Sequence, residues 1–516
     1  MASEQPKAVG IDLGTTYSAI AWLDSSGRPA TISNAEGDLT TPSVVLFETA
    51  ETVVGKEALK AIGTESEFIA QCAKRELGQR AYHKPLRKRK YPPEVIEAFI
   101  LNKLRVDAAR RIGPFSQAVI TVPAYFDEVR RKATQDAGYI AGLEVIDIIN
   151  EPTAAAIAHG FARGFLDPDG QFNQPQKIMV YDLGGGTFDV TIMEIRGSEF
   201  VTLATDGDVQ LGGADWDQRL VDFVAEHFIR HQGVDPRDDA NVAGRLWREC
   251  EDAKRTLSSR TKTAIACEYQ GHTQKIEVTR EQFEEMTLDL VDRTRFTVRQ
   301  TLMAAGLEWK AIDRVLLVGG STRMPMIPRM VKELTGSEPD GSVAVDEAVA
   351  HGAAVHAGFV IAKNGGKTPA LRIKNVNSHS LGVVAADAKT GRKRNAVLVP
   401  RNTPLPVTAK RIFRTHKKSQ KTILVQIVEG ESASPDECAK VGKCVVRDLP
   451  KDLPSQTAID VRFHYAENGR LLVHVNVAGT DRELKHEIAR ENSLSQRELD
   501  TWRRAVTKEG NNSEVA

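Results

Sequence analysis

Two phrases of this chain set an aspartate beside glycine and hydroxyl side chains at nearly the same spacing. Residues 8–16 read Ala-Val-Gly-Ile-Asp-Leu-Gly-Thr-Thr, and residues 178–187 read Ile-Met-Val-Tyr-Asp-Leu-Gly-Gly-Gly-Thr. Each is an apolar run ending in Asp-Leu-Gly, with Asp12 and Gly14 in the first and Asp182 and Gly184, Gly185 and Gly186 in the second. A polyphosphate is held best by successive backbone N–H groups that approach without a Cβ in the way, which glycine permits. An aspartate at a strand end suits Mg²⁺, a hard cation that takes one or two carboxylates, keeps several waters and bridges phosphate oxygens. Asp12 and Asp182 are therefore expected to flank one metal through water. Either phrase alone is also an ordinary strand and turn; the repetition specifies the chemistry.

A third phrase, Val315 to Arg323, again ends a strand in small residues (Gly319, Gly320, Ser321) and adds a guanidinium able to stack on an adenine face. The chain lacks the G-x-x-x-x-G-K-[ST] loop. Neither Asp-Leu-Gly phrase has the G-x-G-x-x-G spacing of a dinucleotide fold.

Around these phrases, apolar strand-like runs (8–11, 44–47, 118–122, 177–181, 314–318) alternate with helical stretches such as 127–142 and 214–230. That alternation predicts a mixed α/β domain over residues 1–362. The Gly, Pro and Lys content of 363–369 predicts an exposed connector, with a linker over 363–374. From 375 to 485 short β-rich runs are separated by turn signals such as 387–391 and Asn468-Gly469, which predicts an all-β module. Residues 486–516 suggest one short charged helix around 495–506 and a disordered tail, EGNNSEVA.

A chain of 516 residues exceeds what one core serves. Its 69 Lys plus Arg balance 69 Asp plus Glu, so no global charge draws it to nucleic acid or an anionic membrane. No apolar leader opens the chain, and His351 and His356 interrupt the Ala-rich stretch 348–362, so a cytoplasmic protein is expected. Cys72, Cys250, Cys267, Cys438 and Cys444 show no CxxC spacing and read as reduced structural thiols.

The phrases IDLGTTYSAI, VITVPAYFDEVRRKATQDAG, INEPTAAAIAHG, YDLGGGTFDVTI, LGGADWDQRL, EDAKRTLSS and LLVGGSTRMP resemble, in order, the signature segments of the Hsp70 chaperones (DnaK-like). The resemblance implies an actin-like, two-lobed ATPase domain followed by a β-sandwich that binds extended polypeptide. It implies that Asp12 and Asp182 position hydrated Mg²⁺, while Thr15, Thr16, Tyr17 and the Gly184 to Thr187 turn hold the phosphates of ATP or ADP. Lys74, in CAKRELG, matches the family's catalytic lysine, and Glu151 and Thr187 would help to place metal and attacking water. Adenosine would sit among Glu251, Lys254, Arg255, Ser258, Gly319, Gly320, Ser321, Arg323 and Asp346. Pro123 and Arg131 match the relay between nucleotide and substrate domains. Unfolded clients, a J-domain protein and a nucleotide exchange factor are the implied partners, and a monomer is expected.

The C-terminal match is thinner. SLGV at 380–383, VPRNTPLP at 399–406, VQIVEGE at 425–431 and AENG at 466–469 anchor it, and they put Phe413, Ile423 and Val425 at the family's peptide groove. Those residues serve equally as inward-facing sandwich core. The linker carries Arg372 and Lys374 where the family is acidic, so its docking is expected to be altered. The loop after SLGV, VAADAKTGRKRN, is polar, and a helical lid is expected to be lacking. The basic run 84–90 reads as a solvated edge. A scaffold whose β module docks one fixed partner is the alternative reading, and a small-molecule kinase a more distant one.

Overall fold

The two Asp-Leu-Gly phrases end the central strands of two separate sheets. Ala8–Asp12 pairs antiparallel with Tyr17–Leu23 on one side and parallel with Gln117–Val122 on the other. Gln176–Leu183 repeats the arrangement, antiparallel with Phe188–Arg196 and parallel with Arg314–Val318. One topological unit is thus built twice, and we call the two halves lobe I and lobe II. The structure is a computed structural model describing residues 7–49, 51–162, 175–196, 199–364, 371–387, 390–415, 417–466, 471–480, 483–487 and 493–512.

Both central strands are buried on both faces, as their unbroken apolar runs require. The helices Glu151–Ala162 and Ala348–Asn364 fill the space between the sheets, sharing one core with Val119, Ile149, Ile178, Val180 and Leu316. Their alanines allow this close approach, and the Ala-rich stretch is an interlobe helix whose His356 meets Asp147 at 2.8 Å. No helix among the described residues is long and apolar enough to cross a membrane. The flanking helices begin at side-chain caps: Asp127 accepts from the Arg130 N–H at the head of Glu128–Ile140, and Asp239 from Asn241 and Val242 at the head of Ala240–Ser259.

From Leu381 onward the chain forms two four-stranded antiparallel sheets. One holds Leu381–Ala386, Lys393–Val399, Ile423–Glu429 and Ala439–Val446; the other holds Val407–Arg414, Ala458–Tyr465, Leu471–Val477 and Glu483–Glu487. Strict alternation, as in Ala458–Tyr465, sends every second side chain into a shared core. The polar stretch after SLGV is the hairpin between Leu381–Ala386 and Lys393–Val399. Residues 365–370, 388–389 and 467–470, which include most of the expected connector and the AENG turn, lie outside the described residues.

The final helix is longer than expected. It runs Gln496–Asn512, so the first part of EGNNSEVA is helical, while 513–516 lie outside the described residues. A capping box starts it: Ser495 N–H and Oγ both reach Glu498 Oε2, at 2.8 and 2.6 Å. It packs on lobe I, with Leu499 and Val506 in that lobe's core, Asn102 Nδ2 donating to the Val506 carbonyl at 3.1 Å, and Tyr139 Oη donating to Asp500 at 2.7 Å. The periodicity foretold a helix but not the surface that would bury its apolar stripe.

Candidate nucleotide site between the lobes

The two glycine turns meet across the interlobe gap. A Cβ on Gly185 would fall 1.8 Å from Thr16 Oγ1, so only glycine allows the turns to close. The second turn is then fastened by its carbonyls. Gly184 O accepts from Gly213 N at 3.0 Å and Ser321 Oγ at 2.9 Å, Gly185 O from Ala214 N at 2.8 Å, and Gly186 O from Arg75 Nε at 2.7 Å. The Gly184 N–H is spent on Thr187 O at 3.0 Å, so what the turn can offer an anion is the N–H groups that follow it.

Lys74 and Glu151 form a buried ion pair at 2.6 Å, their side chains 2 % and 8 % exposed. Burial alone would lower the lysine's pKa, but Glu151 and Asp12 outweigh it and hold Lys74 charged. The acids around it are frustrated. Burial, then Glu151, pushes Asp12 up to about 7 and Asp182 well above the carboxylate range, and Asp189 rises to about 8 for the same reasons. One lysine faces four carboxylates, a negative excess that a divalent cation would relieve, so the donor set fits Mg²⁺. Among the described residues no three His, Cys, Asp or Glu side chains converge to hold an ion directly, so such a cation would keep water in its shell.

A cavity of about 460 Å³ opens over this cluster. Asp12, Gly14, Thr15, Thr16, Tyr17, Lys74 and Glu151 line it from lobe I; Asp182, Gly184, Gly185, Thr187, Glu251, Lys254, Arg255 and Ser258 line it from lobe II, with Gly319, Gly320, Ser321, Arg323 and Asp346 completing the wall. Gly186 does not line it and packs instead against Thr15. Across the mouth, Arg255 donates to Tyr17 Oη at 2.8 Å with its guanidinium 5.1 Å over the ring, and Arg323 grips Asp346 through two bonds of 2.8 and 2.7 Å.

Three residues here escaped sequence reading. Asp189 is the register partner of Asp182 and accepts the Tyr125 N–H at 2.9 Å; the hairpin YDLGGGTFD, folded at its glycines, would have revealed it. Asp217 lines the cavity and holds Lys254 at 2.8 Å. Arg75 crosses the gap to Gly186 O and Asp215, and only the tertiary fold brings those groups together.

Pro123 and Arg131, the residues expected to form a relay, flank a loop that reaches the β module. Arg131 donates to the Phe126 and Ala124 carbonyls at 3.1 and 3.2 Å, and the Phe126 N–H reaches Pro123 O at 3.2 Å. On the same loop the Tyr125 carbonyl meets His379 Nε2 at 3.0 Å, and the Phe126 carbonyl accepts from Ser378 Oγ at 3.3 Å. Asp189 thus touches, through Tyr125, a loop that touches the sandwich. The linker also docks: Arg372–Lys374 adds a parallel strand beside Glu199–Asp208, Leu371 enters the interlobe core, and Glu199 answers Lys374 at 3.3 Å. The basic residues therefore meet an acidic partner and do not prevent docking. In the sandwich, Ile423 and Val425 are 4 % and 3 % exposed in the core between the sheets, and Phe413 packs half-buried at its margin.

Fold and site together define a two-lobed protein, with a cavity lined by glycine turns and acids between the lobes, joined to a β module. The Hsp70 protein family model matches residues 8–514. "Chaperone protein DnaK" of Thermosipho africanus is 38 % identical over 507 residues, 97 % of this chain and 82 % of the relative. The proteins of that name from Thermotoga neapolitana and Thermotoga maritima are each 39 % identical over 508 residues, 97 % of this chain and 83 % of theirs. The chain belongs to the Hsp70 family. It is an ATP-dependent chaperone and an ATPase of that type, and the fixed-partner scaffold is not favoured.

Proposed function

We propose that the lobes form an actin-like ATPase, residues 1–362, that hydrolyses ATP slowly and signals through the 363–374 linker to a peptide-binding sandwich, residues 375–485. One observation carries this reading: both Asp-Leu-Gly turns, the buried Lys74–Glu151 pair and the purine-side residues line one cavity. Lys74, held by Glu151 at 2.6 Å, supplies fixed positive charge where negative charge develops on the phosphate oxygens. The Thr187 hydroxyl and Glu151 orient the attacking water, and the Gly184 to Thr187 turn holds the phosphates through N–H groups other than that of Gly184, which Thr187 O takes. Mg²⁺, held through water by Asp12 and Asp182, would neutralise charge on the same oxygens. Arg255 and Arg323 cover the adenine.

Coupling follows the contacts from Asp189 through Tyr125 to His379, with Arg131 and Pro123 bracing that loop. An extended client segment would bind at Phe413, Ile423 and Val425, which requires the two sheets to part because the latter two are core residues here. A cytoplasmic monomer working with a J-domain protein and a nucleotide exchange factor completes the proposal.

The test is the dissociation rate of a library-selected fluorescent peptide from the ADP-bound and ATP-bound protein. Faster release in ATP is expected. Equal rates would overturn the coupling.

A further inference from the structure

The basic run 84–90, Lys-Pro-Leu-Arg-Lys-Arg-Lys, has no part in the nucleotide cavity, and Arg87 to Lys90 are exposed, as a solvated edge would be, while Leu86 is buried beneath them. It folds into a tight turn in which Leu86 and Arg89 exchange backbone hydrogen bonds of 2.8 and 3.0 Å around Arg87 and Lys88. Both central residues take positive φ, 48° and 63°. Two successive non-glycine residues in that region persist only where the surroundings hold them. Here Leu86 is fully buried, and Arg87 sits 3.6 Å over the Phe68 ring while donating to the Phe47 carbonyl at 2.8 Å. The cationic tip is anchored.

That tip walls a second cavity, about 890 Å³, between the lobes. Its apolar lining comes from Ile62, Phe68 and Ile69 of lobe I and from Trp247 on the Ala240–Ser259 helix of lobe II. Lys84, Arg87 and Lys88 line it as well, against a single acid, Glu67, leaving an excess of two positive charges. Lys84 Nζ spends one bond on the Ser66 carbonyl at 2.7 Å, and Lys88 is exposed. The two walls are fixed relative to each other: the Ser66 N–H donates to Asn241 Oδ1 at 3.0 Å, and a Cβ on Gly244 would fall 2.3 Å from Ser66 Oγ. A recess already shaped needs little ordering to receive a ligand.

We propose that this recess docks an acidic segment of a partner polypeptide. Its carboxylates would meet Lys84, Arg87 and Lys88, and one branched or aromatic side chain would cover Phe68 and Trp247. Charge complementarity selects the acidic partner, and the apolar surface of Phe68 and Trp247 suits an apolar side chain set among its acids.

The test uses the full chain and a fluorescein-labelled peptide, Asp-Glu-Asp-Leu-Trp-Asp-Glu-Asp, followed by fluorescence anisotropy at low and high salt. Saturable binding that weakens with salt is expected, and Lys88→Glu should weaken it roughly tenfold or more while ATP turnover stays at the parental rate. Trp247→Ala should weaken it from the other wall, and a peptide with lysine in place of every acid should not bind. Because Trp247 also packs against lobe II, the exposed Lys88→Glu variant carries the decision. Unchanged affinity in Lys88→Glu, or a single-stranded oligonucleotide binding there more tightly than the peptide, would overturn the proposal.

Discussion

The nucleotide cavity and the sandwich core are built from opposite materials. The cavity gathers Asp12, Asp182, Asp189 and Glu151 around one lysine, an arrangement that destabilises its own charges. The sandwich core is a cluster of apolar side chains from Leu381 to Val477, with buried polar groups such as Thr415 and Glu429 in the same module. Several frustrated acids gathered around one lysine at a cavity mark a site suited to charged ligands. An apolar core is stabilising in its own right, so the same residues cannot reveal whether they also open to a client. Function is legible in the first region and latent in the second.

Substitutions can test that contrast, and the largest expected effect comes from the cavity. Lys74→Ala should lower single-turnover ATP hydrolysis on the order of 10²–10³-fold while nucleotide affinity changes little, because the lysine acts on charge that develops in the transition state. Hydrolysis at the parental rate would remove Lys74 from the mechanism. In the sandwich the cost should fall on stability: Ile423→Ala is expected to destabilise that module by roughly 2–5 kcal/mol in denaturant unfolding, and Phe413→Ala by clearly less. If Phe413→Ala nonetheless weakens peptide binding more than Ile423→Ala does, groove and core are separable.

A third prediction concerns charge burial away from the nucleotide. Burial pushes Glu97 up to about 8 from an ordinary value of 4.5, opposed only by Lys74. Between those values the folded protein holds a proton that the unfolded chain has released, so stability is present below pH 4.5 and is lost as pH rises to about 8. Glu97→Gln should flatten the melting temperature against pH over that window. An unchanged profile would mean that another acid dominates. The smallest effect is expected at the linker, where Lys374 is half exposed: Lys374→Ala should cost less than about 1 kcal/mol, whereas loss of docking would show that its pair with Glu199 is decisive.

Much of lobes I and II was readable because glycine, aspartate and unbroken apolar runs have few alternative uses. The strands Val44–Phe47 and Arg314–Val318 lie where their apolar runs ended. The contacts across chain segments were not readable. Arg75 reaching Gly186 depends on two loops that share no local pattern, and nothing in the spacing of Leu499, Trp502 and Val506 says that their stripe is covered by lobe I.

By itself the sequence determined the local chemistry: two strands ending in Asp-Leu-Gly, turns free of Cβ, and a β-rich C-terminal module. These follow from side-chain size, charge and periodicity, which act over a few residues. Only the tertiary structure decided that Lys74 sits on Glu151, that a linker carrying Arg372 and Lys374 still docks beside Glu199, and that the 84–90 run walls a cavity. Burial and charge pairing are properties of surfaces brought together from distant segments, and no single segment carries them.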